Sequence, residues 1–210
     1  MIVKVCGLSN EEDTRAALAA GANAVGFVLA PSPRQVTLER ARELLALVPN
    51  DVESVAVFAE AQRDEIEAAC EAGFSAVQAE VGSPLEKLPH DTFAIPVLRD
   101  GDDLEQRLDG LETPAPMHAS LCGTFVLDGP GGGGRGIPVD LERARLAARK
   151  RRMVLAGGLH ADNVAERIHA IAPYAVDTSS GVERERGIKD PERIHAFVRA
   201  ARQAFGEKGR

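Results

Sequence analysis

A thiol and a carboxyl in this sequence stand where each could exchange a proton with a bound molecule. Cys6 ends the short run Ile2–Cys6 and is followed at once by Gly7. Asp128 ends a second apolar run, residues 125–127, and precedes a tract rich in glycine. A cysteine or an aspartate at a strand end can act as a general base or a general acid. Each also has a structural explanation, because free cysteines are often small buried apolar residues and aspartates often cap their own turn.

Two loops carry residue types that bind anions. Gly157 and Gly158 follow one predicted strand, and a polar segment ends the next. That segment contains Asp177, Ser179, Ser180 and Gly181. Glycine lets backbone N–H groups approach an anion closely, and serine hydroxyls add donors. The glycines could instead serve only to form tight turns, but their adjacency favours a phosphate site.

Other polar residues follow other predicted strands. Arg34 lies in the loop after the second strand, and Gln78 and Glu80 lie at the fourth. Residues 129–134 formally match G-x-G-x-x-G, but the next strand ends in Ala-Gly-Gly where a dinucleotide site needs an acidic residue. We therefore predict a mobile loop over a ligand there. The five histidines have no metal-ligand spacing, so we predict no metal site.

A regular alternation of short apolar runs and segments of helical period must position these residues. The predicted strands are residues 2–6, 24–29, 52–58, 74–78, 93–98, 121–127, 153–156 and 174–178. The predicted helices are residues 10–20, 37–48, 63–71, 139–148, 161–171 and 191–205, with weaker ones at 85–88 and 104–108. Ser9 or Asn10 is the expected N-cap of the first helix, and residues 112–118 are predicted to be a loop.

Eight strand–helix units without a change in composition predict one (β/α)8 barrel domain over residues 1–210. An open doubly wound sheet usually has fewer strands. In such a barrel the active face lies at the carboxyl ends of the strands, and phosphates are most often bound by the last two loops. The candidate residues named above all fall at those strand ends.

Composition excludes several functional classes. The chain has 210 residues, 44% of them hydrophobic and 27% charged, with a net charge of −7. This balance is typical of a globular protein and not of a disordered chain. The acidic charge argues against a nucleic-acid partner. The three cysteines lie far apart, so we expect free thiols and no disulfide framework. No apolar run is long enough for a membrane span, and no signal peptide is recognisable, so we expect a cytoplasmic protein.

Several segments, in their order along the chain, resemble the phosphoribosylanthranilate isomerase family. They are KVCGL from Lys4, GANAVGF from Gly21, SPRQV from Ser32, LAGGL from Leu155, VDTSSGVE from Val176 and GIKD from Gly187. The resemblance implies a small single-domain (β/α)8 barrel of the tryptophan pathway that acts without a cofactor. It also implies a phosphorylated small-molecule substrate and leaves a monomer or a homodimer open.

The resemblance further implies roles for individual residues. Cys6 matches the family's general base, Asp128 its general acid, and Arg34 the arginine that meets the anthranilate carboxylate. Gly157, Gly158, Ser179, Ser180 and Gly181 fall at the phosphate-binding loops, and Asp177 matches an acidic position that supports the eighth strand. The implied reaction is an Amadori rearrangement, in which the acid opens the furanose ring and the base removes the C2′ proton.

Two segments depart from the family pattern. The usual Gln-Leu-His-Gly of strand four is replaced by Gln78-Ala79-Glu80-Val81-Gly82, without the histidine. The loop after Asp128 also differs from the usual Gly-Gly-Thr-Gly. Both changes lie toward the aminoaryl end of the substrate. They favour one alternative, a related isomerase of another phosphorylated aminoaldose. A second alternative is a sugar-phosphate-binding protein without turnover, although such a protein would need neither Cys6 nor Asp128.

Overall fold

A computed structural model describes residues 2–89, 91–112, 121–131 and 133–208 of the chain. Eight parallel strands form one closed barrel in chain order, and the last strand pairs with the first. The strands are β1 (Ile2–Cys6), β2 (Ala24–Val28), β3 (Glu53–Val57), β4 (Ala76–Glu80), β5 (Phe93–Arg99), β6 (Phe125–Asp128), β7 (Met153–Leu155) and β8 (Ala175–Thr178). This topology confirms the predicted (β/α)8 fold class.

Helices follow the strands, with one exception. They are α1 (Glu11–Ala20), α2 (Leu38–Leu45), α3 (Arg63–Glu71), α4 (Leu104–Asp109), α5 (Leu141–Lys150), α6 (Val164–Ile171) and α7 (Pro191–Lys208). The described residues between β4 and β5 contain no helix, so the weak helix predicted at residues 85–88 is wrong. Leu85 and Leu88 pack against the outer core from an irregular segment. No helix in the described ranges is long and apolar enough to cross a membrane.

Side-chain caps determine where helices begin. The Asn10 side chain accepts a hydrogen bond of 2.9 Å from the backbone N–H of Asp13, which confirms Asn10 as the N-cap of α1. Thr37 and Asp140 cap α2 and α5 in the same way. Gly21 ends α1 with φ of 87°, a left-handed conformation that favours glycine.

The core has two layers because neighbouring side chains on a strand point to opposite faces. Along β1, Val3 and Val5 face outward and pack against the helices, in the larger apolar cluster. Ile2 faces the barrel interior, where it packs with small and branched residues such as Ala24 and Val55. Because side chains alternate, Lys4 and Cys6 share the inward face with Ile2. Their position inside the barrel thus follows from the strand period.

Two strand predictions were wrong by two residues or more at one or both ends, and the bounds of the other strands differ by at most one residue. The fourth strand starts at Ala76 and not at Phe74, which follows the end of α3 and whose backbone N–H donates to the carbonyl of Ala69 within that helix. The sixth strand starts at Phe125, because residues 121–124 form a turn in which Thr124 bonds the carbonyl of Leu121. Buried apolar residues at these positions resembled strand residues. The corrected bounds make Glu80 and Asp128 the last residues of their strands.

A small hairpin after β8 was missing from the sequence prediction. A 3-10 turn over Ser180–Val182 leads into β9 (Glu183–Glu185), which pairs antiparallel with β10 (Ile188–Lys189). Neither strand has an apolar alternation that would reveal it. Two other predictions include residues outside the described ranges. These are residues 113–118 of the loop predicted at 112–118, and Gly132 of the glycine tract.

Candidate active site

One cavity of about 350 Å³ lies at the carboxyl ends of the barrel strands. All nine candidate site residues line it: Cys6, Arg34, Asp128, Gly157, Gly158, Asp177, Ser179, Ser180 and Gly181. The strand order places β7 and β8 between β6 and β1. The thiol and the carboxyl therefore flank the two predicted phosphate loops.

Cys6 lies beside a buried ion pair. The Lys4 ammonium donates to Asp177 Oδ2 at 2.9 Å, and the pair is held in register by the contact of β1 with β8. Lys4 lies two residues before Cys6 on the same face of β1, and its charge acts on the Cys6 thiol. Gly26 on β2 leaves room for both groups, since a Cβ there would lie 2.8 Å from the Cys6 Sγ and 3.3 Å from the Lys4 Nζ. The thiol and the ammonium therefore both lie next to Gly26.

Burial and neighbouring charges have opposite effects on the pKa values of Cys6 and Lys4. Burial raises the pKa of the Cys6 thiol, while the Lys4 ammonium acts to lower it and only partly offsets the effect. Burial alone would lower the pKa of Lys4, but the negative charge of Asp177, together with that of Cys6 once the thiol ionises, outweighs it and raises the pKa above its ordinary value. Lys4 therefore remains a cation, available to stabilise a thiolate when one forms.

Asp128 is held by donors on both oxygens. Its Oδ1 accepts from the backbone N–H of Gly129 at 2.7 Å, and its Oδ2 accepts from Arg99 Nη1 at 2.5 Å. Arg99, the last residue of β5, also donates Nε to Glu80 Oε1 at 2.7 Å and makes a second contact with the same oxygen through Nη2. The carboxyl faces the cavity in a fixed orientation.

Arg34 is anchored by an acidic residue of the hairpin. Its Nε and Nη2 donate to Glu183 at 2.6 and 2.9 Å, and Lys189 donates to the same carboxylate at 2.9 Å. Burial alone would raise the pKa of Glu183, but the hydrogen bonds from Arg34 and Lys189 outweigh it and lower the pKa. Arg34 Nη1 points toward Gly134, where an added Cβ would lie 2.2 Å away.

The two anion loops are packed closely against other backbone. A Cβ on Gly158 would lie 2.5 Å from the carbonyl oxygen of Gly136, and one on Gly181 would lie 1.9 Å from that of Leu159. Gly158 also has φ of 66°. Only glycine fits at these two positions without moving the neighbouring chain. The Ser179 hydroxyl accepts from Lys189 at 3.2 Å, so it is held next to the hairpin, while Ser180 starts the 3-10 turn.

Two buried acceptors in the cavity wall have no hydrogen-bond donor among the residues that the structure describes. They are Asp177 Oδ1 and Gln78 Oε1, and each residue is 7% exposed. Unpaired buried acceptors are costly, so these atoms are suited to accept hydrogen bonds from hydroxyl groups of a ligand. Among the described residues no group of histidines, cysteines and carboxylates could hold a metal ion.

Sequence reasoning missed the charged partners of the candidate residues. Lys4, Arg99, Glu183 and Lys189 were not selected, although each contacts one of them. The period of two in β1 is a signal that could have identified Lys4, since it shares the face of Cys6. Nothing in the sequence pairs Glu183 with Arg34, because 149 positions separate them.

A larger hollow of about 1160 Å³ lies on the side of the barrel. It is lined by residues near β4 and β5, where the connecting segment has no helix, including Leu88 and Leu111. None of the nine candidate residues lines it, so the candidate acid and base meet only at the barrel mouth.

Comparison with known families gives a match over nearly the whole chain. Residues 3–200 match the family model described as N-(5'-phosphoribosyl)anthranilate isomerase. A Pseudomonas putida protein with this name is 39% identical over 216 aligned residues, covering 96% of this chain and 97% of its own. A Chromohalobacter salexigens protein with the same name is 42% identical, covering 93% of this chain and 92% of its own.

Solved structures of the same family have the same fold. The phosphoribosylanthranilate isomerase of Thermotoga maritima superposes with a TM-score of 0.82 at 33% identity, covering 97% of this chain and all of its own. A further isomerase structure, in complex with reduced 1-(o-carboxyphenylamino)-1-deoxyribulose 5-phosphate, gives a TM-score of 0.81 at 31% identity. Monomeric forms generated from the dimeric Thermotoga enzyme are also similar to this chain.

Proposed function

The chain belongs to the N-(5'-phosphoribosyl)anthranilate isomerase family of tryptophan biosynthesis, and we propose that Cys6 and Asp128 are the general base and general acid of its reaction. The observation that carries this proposal is the common cavity. It has the thiol on β1, the carboxyl on β6, and the glycine and serine loops of β7 and β8 between them.

The chemistry of the rearrangement requires one acid and one base on opposite sides of a sugar. Asp128, in its protonated form, gives a proton to the furanose ring oxygen, so the C1′–O bond breaks and a Schiff base forms. Cys6, as the thiolate, removes the proton from C2′ and leaves an enolamine. That enolamine tautomerises to the ketone. An acid and a base positioned in this way typically contribute about 10²–10⁴-fold each to the rate.

Lys4 and Asp177 support the base in this mechanism. The thiol is the stable form before reaction because burial disfavours the charge. Lys4 is on the same strand as Cys6, and its ammonium group stabilises the thiolate that removes the proton. The unpartnered Asp177 Oδ1 and Gln78 Oε1 accept from the ribosyl hydroxyls and orient C2′ toward Cys6.

The two ends of the substrate have separate anchors. Gly157, Gly158, Ser179, Ser180 and Gly181 surround the phosphate, which backbone N–H groups and hydroxyls can bind. Arg34 meets the anthranilate carboxylate with its remaining Nη1, because Glu183 occupies its Nε and Nη2. An arginine that is already oriented by a buried partner loses little freedom when it binds a carboxylate.

The remaining assignments stay predictions. We propose that residues 1–210 form a single barrel domain, because barrel elements extend from Ile2 to Lys208. We also propose a monomer or homodimer in the cytoplasm, without a nucleic-acid partner, since the net charge is −7. The substrate is a phosphorylated small molecule.

The direct test of the function is turnover of freshly made N-(5'-phosphoribosyl)anthranilate. We expect the anthranilate-type fluorescence to disappear rapidly when the purified protein is added, and the product to be the deoxyribulose phosphate. Inorganic phosphate should inhibit competitively. If the folded protein leaves the fluorescence unchanged, the substrate is a different aminoaldose, which would bind next to Glu80 and the glycine loop.

A further inference from the structure

Three charged side chains join the ends of β4, β5 and β6. We call Glu80, Arg99 and Asp128 the mouth triad. Arg99 donates to Asp128 through Nη1 and to Glu80 through both Nε and Nη2. The three side chains are 17–23% exposed, so most of their surface is shielded from water. One guanidinium therefore connects two carboxylates, and the triad has a net charge of −1.

The barrel register produces this arrangement. Arg99 is paired directly with Asp128 across β5 and β6, and Glu80 is paired with Val97 across β4 and β5. Arg99 lies two residues beyond Val97 and so shares its face. Both Arg99 and Asp128 line the mouth cavity. The guanidinium is thus placed between the two carboxylates by the strands themselves.

We propose that Arg99 is a positioning residue for Asp128 and that Glu80 anchors Arg99. This inference rests on the proposed function, in which Asp128 is the general acid. With Gly129 N–H on Oδ1 and Arg99 on Oδ2, the carboxyl cannot rotate freely. A catalytic group displaced by about 1 Å can lose about 10²-fold in rate, so fixing this orientation contributes directly to kcat.

Glu80 gives the arginine a partner that does not depend on the acid. Two of the three contacts of Arg99 go to Glu80. When Asp128 takes up the proton that it later donates, Arg99 stays paired with Glu80, and no uncompensated guanidinium remains. Removing one partner of a shielded ion pair is otherwise strongly unfavourable. Glu80 therefore allows Asp128 to alternate between its protonated and ionised forms.

A double-mutant cycle tests this proposal. We expect Arg99→Met to lower kcat by about tenfold to a hundredfold, with the KM for N-(5'-phosphoribosyl)anthranilate changed by less than about threefold. In an Asp128→Asn background, Arg99→Met should cause no further loss of kcat, because the carboxylate that Arg99 orients is already absent. Arg99→Lys should give an intermediate kcat, since an ammonium can pair but cannot hold both carboxylates at once.

Other results would contradict the proposal. A loss that persists in the Asp128→Asn background, together with a raised KM, would mean that Arg99 contacts the substrate itself. Wild-type kcat in Arg99→Met, with Asp128→Asn still slow, would remove the positioning role and leave the acid assignment intact. Wild-type kcat in Asp128→Asn would instead overturn the proposed acid.

Glu80→Gln and a matched control complete the experiment. Glu80→Gln should lower kcat by less than Arg99→Met does, with KM again unchanged, and an unaltered kcat would remove Glu80 from the proposal. The control is Arg143→Met, since Arg143 also connects two carboxylates, Asp100 at 2.6 Å and Asp102 at 3.2 Å, outside the cavity lining. It should keep the wild-type kcat.

Discussion

The surroundings of the Cys6 thiol have two opposing effects on its pKa. Burial disfavours the thiolate, and the adjacent Lys4 ammonium favours it. A buried cysteine without such a partner would be an inert apolar residue. We propose that the charge of Lys4, which is held by Asp177, allows the thiol at this position to act as a base.

Lys4→Met should shift the pH dependence of the reaction. Without the ammonium the pKa of Cys6 rises further, so less thiolate is present at neutral pH. The rising limb of kcat/KM against pH should therefore move to higher pH, which a series of initial rates at increasing pH would measure. Lys4→Met with Asp177→Asn removes both charges and controls for the unpaired carboxylate. An unchanged rising limb would mean that Lys4 does not act on the thiol.

At the scale of elements, one acidic residue connects the hairpin to the loop after β2. Glu183 begins β9, and its carboxylate accepts from Arg34 and from Lys189. The hairpin was absent from the sequence prediction because its two short strands have no apolar pattern. Its function in the fold is to hold the arginine proposed to bind the substrate carboxylate.

Glu183→Gln should destabilise the protein in a pH-dependent way. Breaking a buried ion pair costs about 3–5 kcal/mol, and Arg34 would lose its anchor. The folded-state pKa of Glu183 is lowered relative to an unfolded value of about 4.3. Its contribution is therefore complete above that value and is lost as the pH falls through the folded-state pKa.

Urea unfolding at neutral pH and at acidic pH measures this effect. The difference in unfolding free energy between wild type and Glu183→Gln should be largest at neutral pH and should shrink in acid. A difference that is equal at both pH values would exclude the ion pairs as its cause.

The loop after β8, which we propose binds the phosphate, requires glycine at position 181. Gly181→Ala should raise both KM and the inhibition constant of inorganic phosphate by about tenfold to a hundredfold, the equivalent of losing a hydrogen bond to a charged group. The added Cβ would displace the loop, since it would lie 1.9 Å from the Leu159 oxygen. Gly206→Ala is the control, because no atom lies within 4 Å of its added Cβ. Equal phosphate inhibition of Gly181→Ala and wild type would place the anion elsewhere.

For the molecule as a whole, the sequence was sufficient to predict the barrel and to select candidate residues that lie together. Alternating apolar runs and helical segments predicted eight strands, and each candidate residue was selected because it stood at a strand end. The structure brings those residues to one cavity. Local patterns succeed here because a parallel barrel places all the strand ends on one face.

The charged network round the site could not be predicted in the same way. Arg34 and Glu183 are 149 positions apart, and Lys4 and Asp177 are 173 apart. Such pairs form only when the barrel closes, and no local spacing encodes them. The predicted bounds of β4 and β6 were wrong for a related reason. Phe74 and Leu121 are buried because they pack against the core, although neither belongs to a strand.

The kcat of Cys6→Ala and Asp128→Asn on N-(5'-phosphoribosyl)anthranilate shows whether these two residues are the base and the acid of the reaction. Each should fall by about 10²–10⁴-fold, the usual contribution of a positioned acid or base. The controls are Cys70→Ala on α3 and Asp109→Asn on α4, which lie outside the cavity lining and should keep the wild-type kcat. If either Cys6→Ala or Asp128→Asn turns over at the wild-type rate, that residue does not have the proposed role.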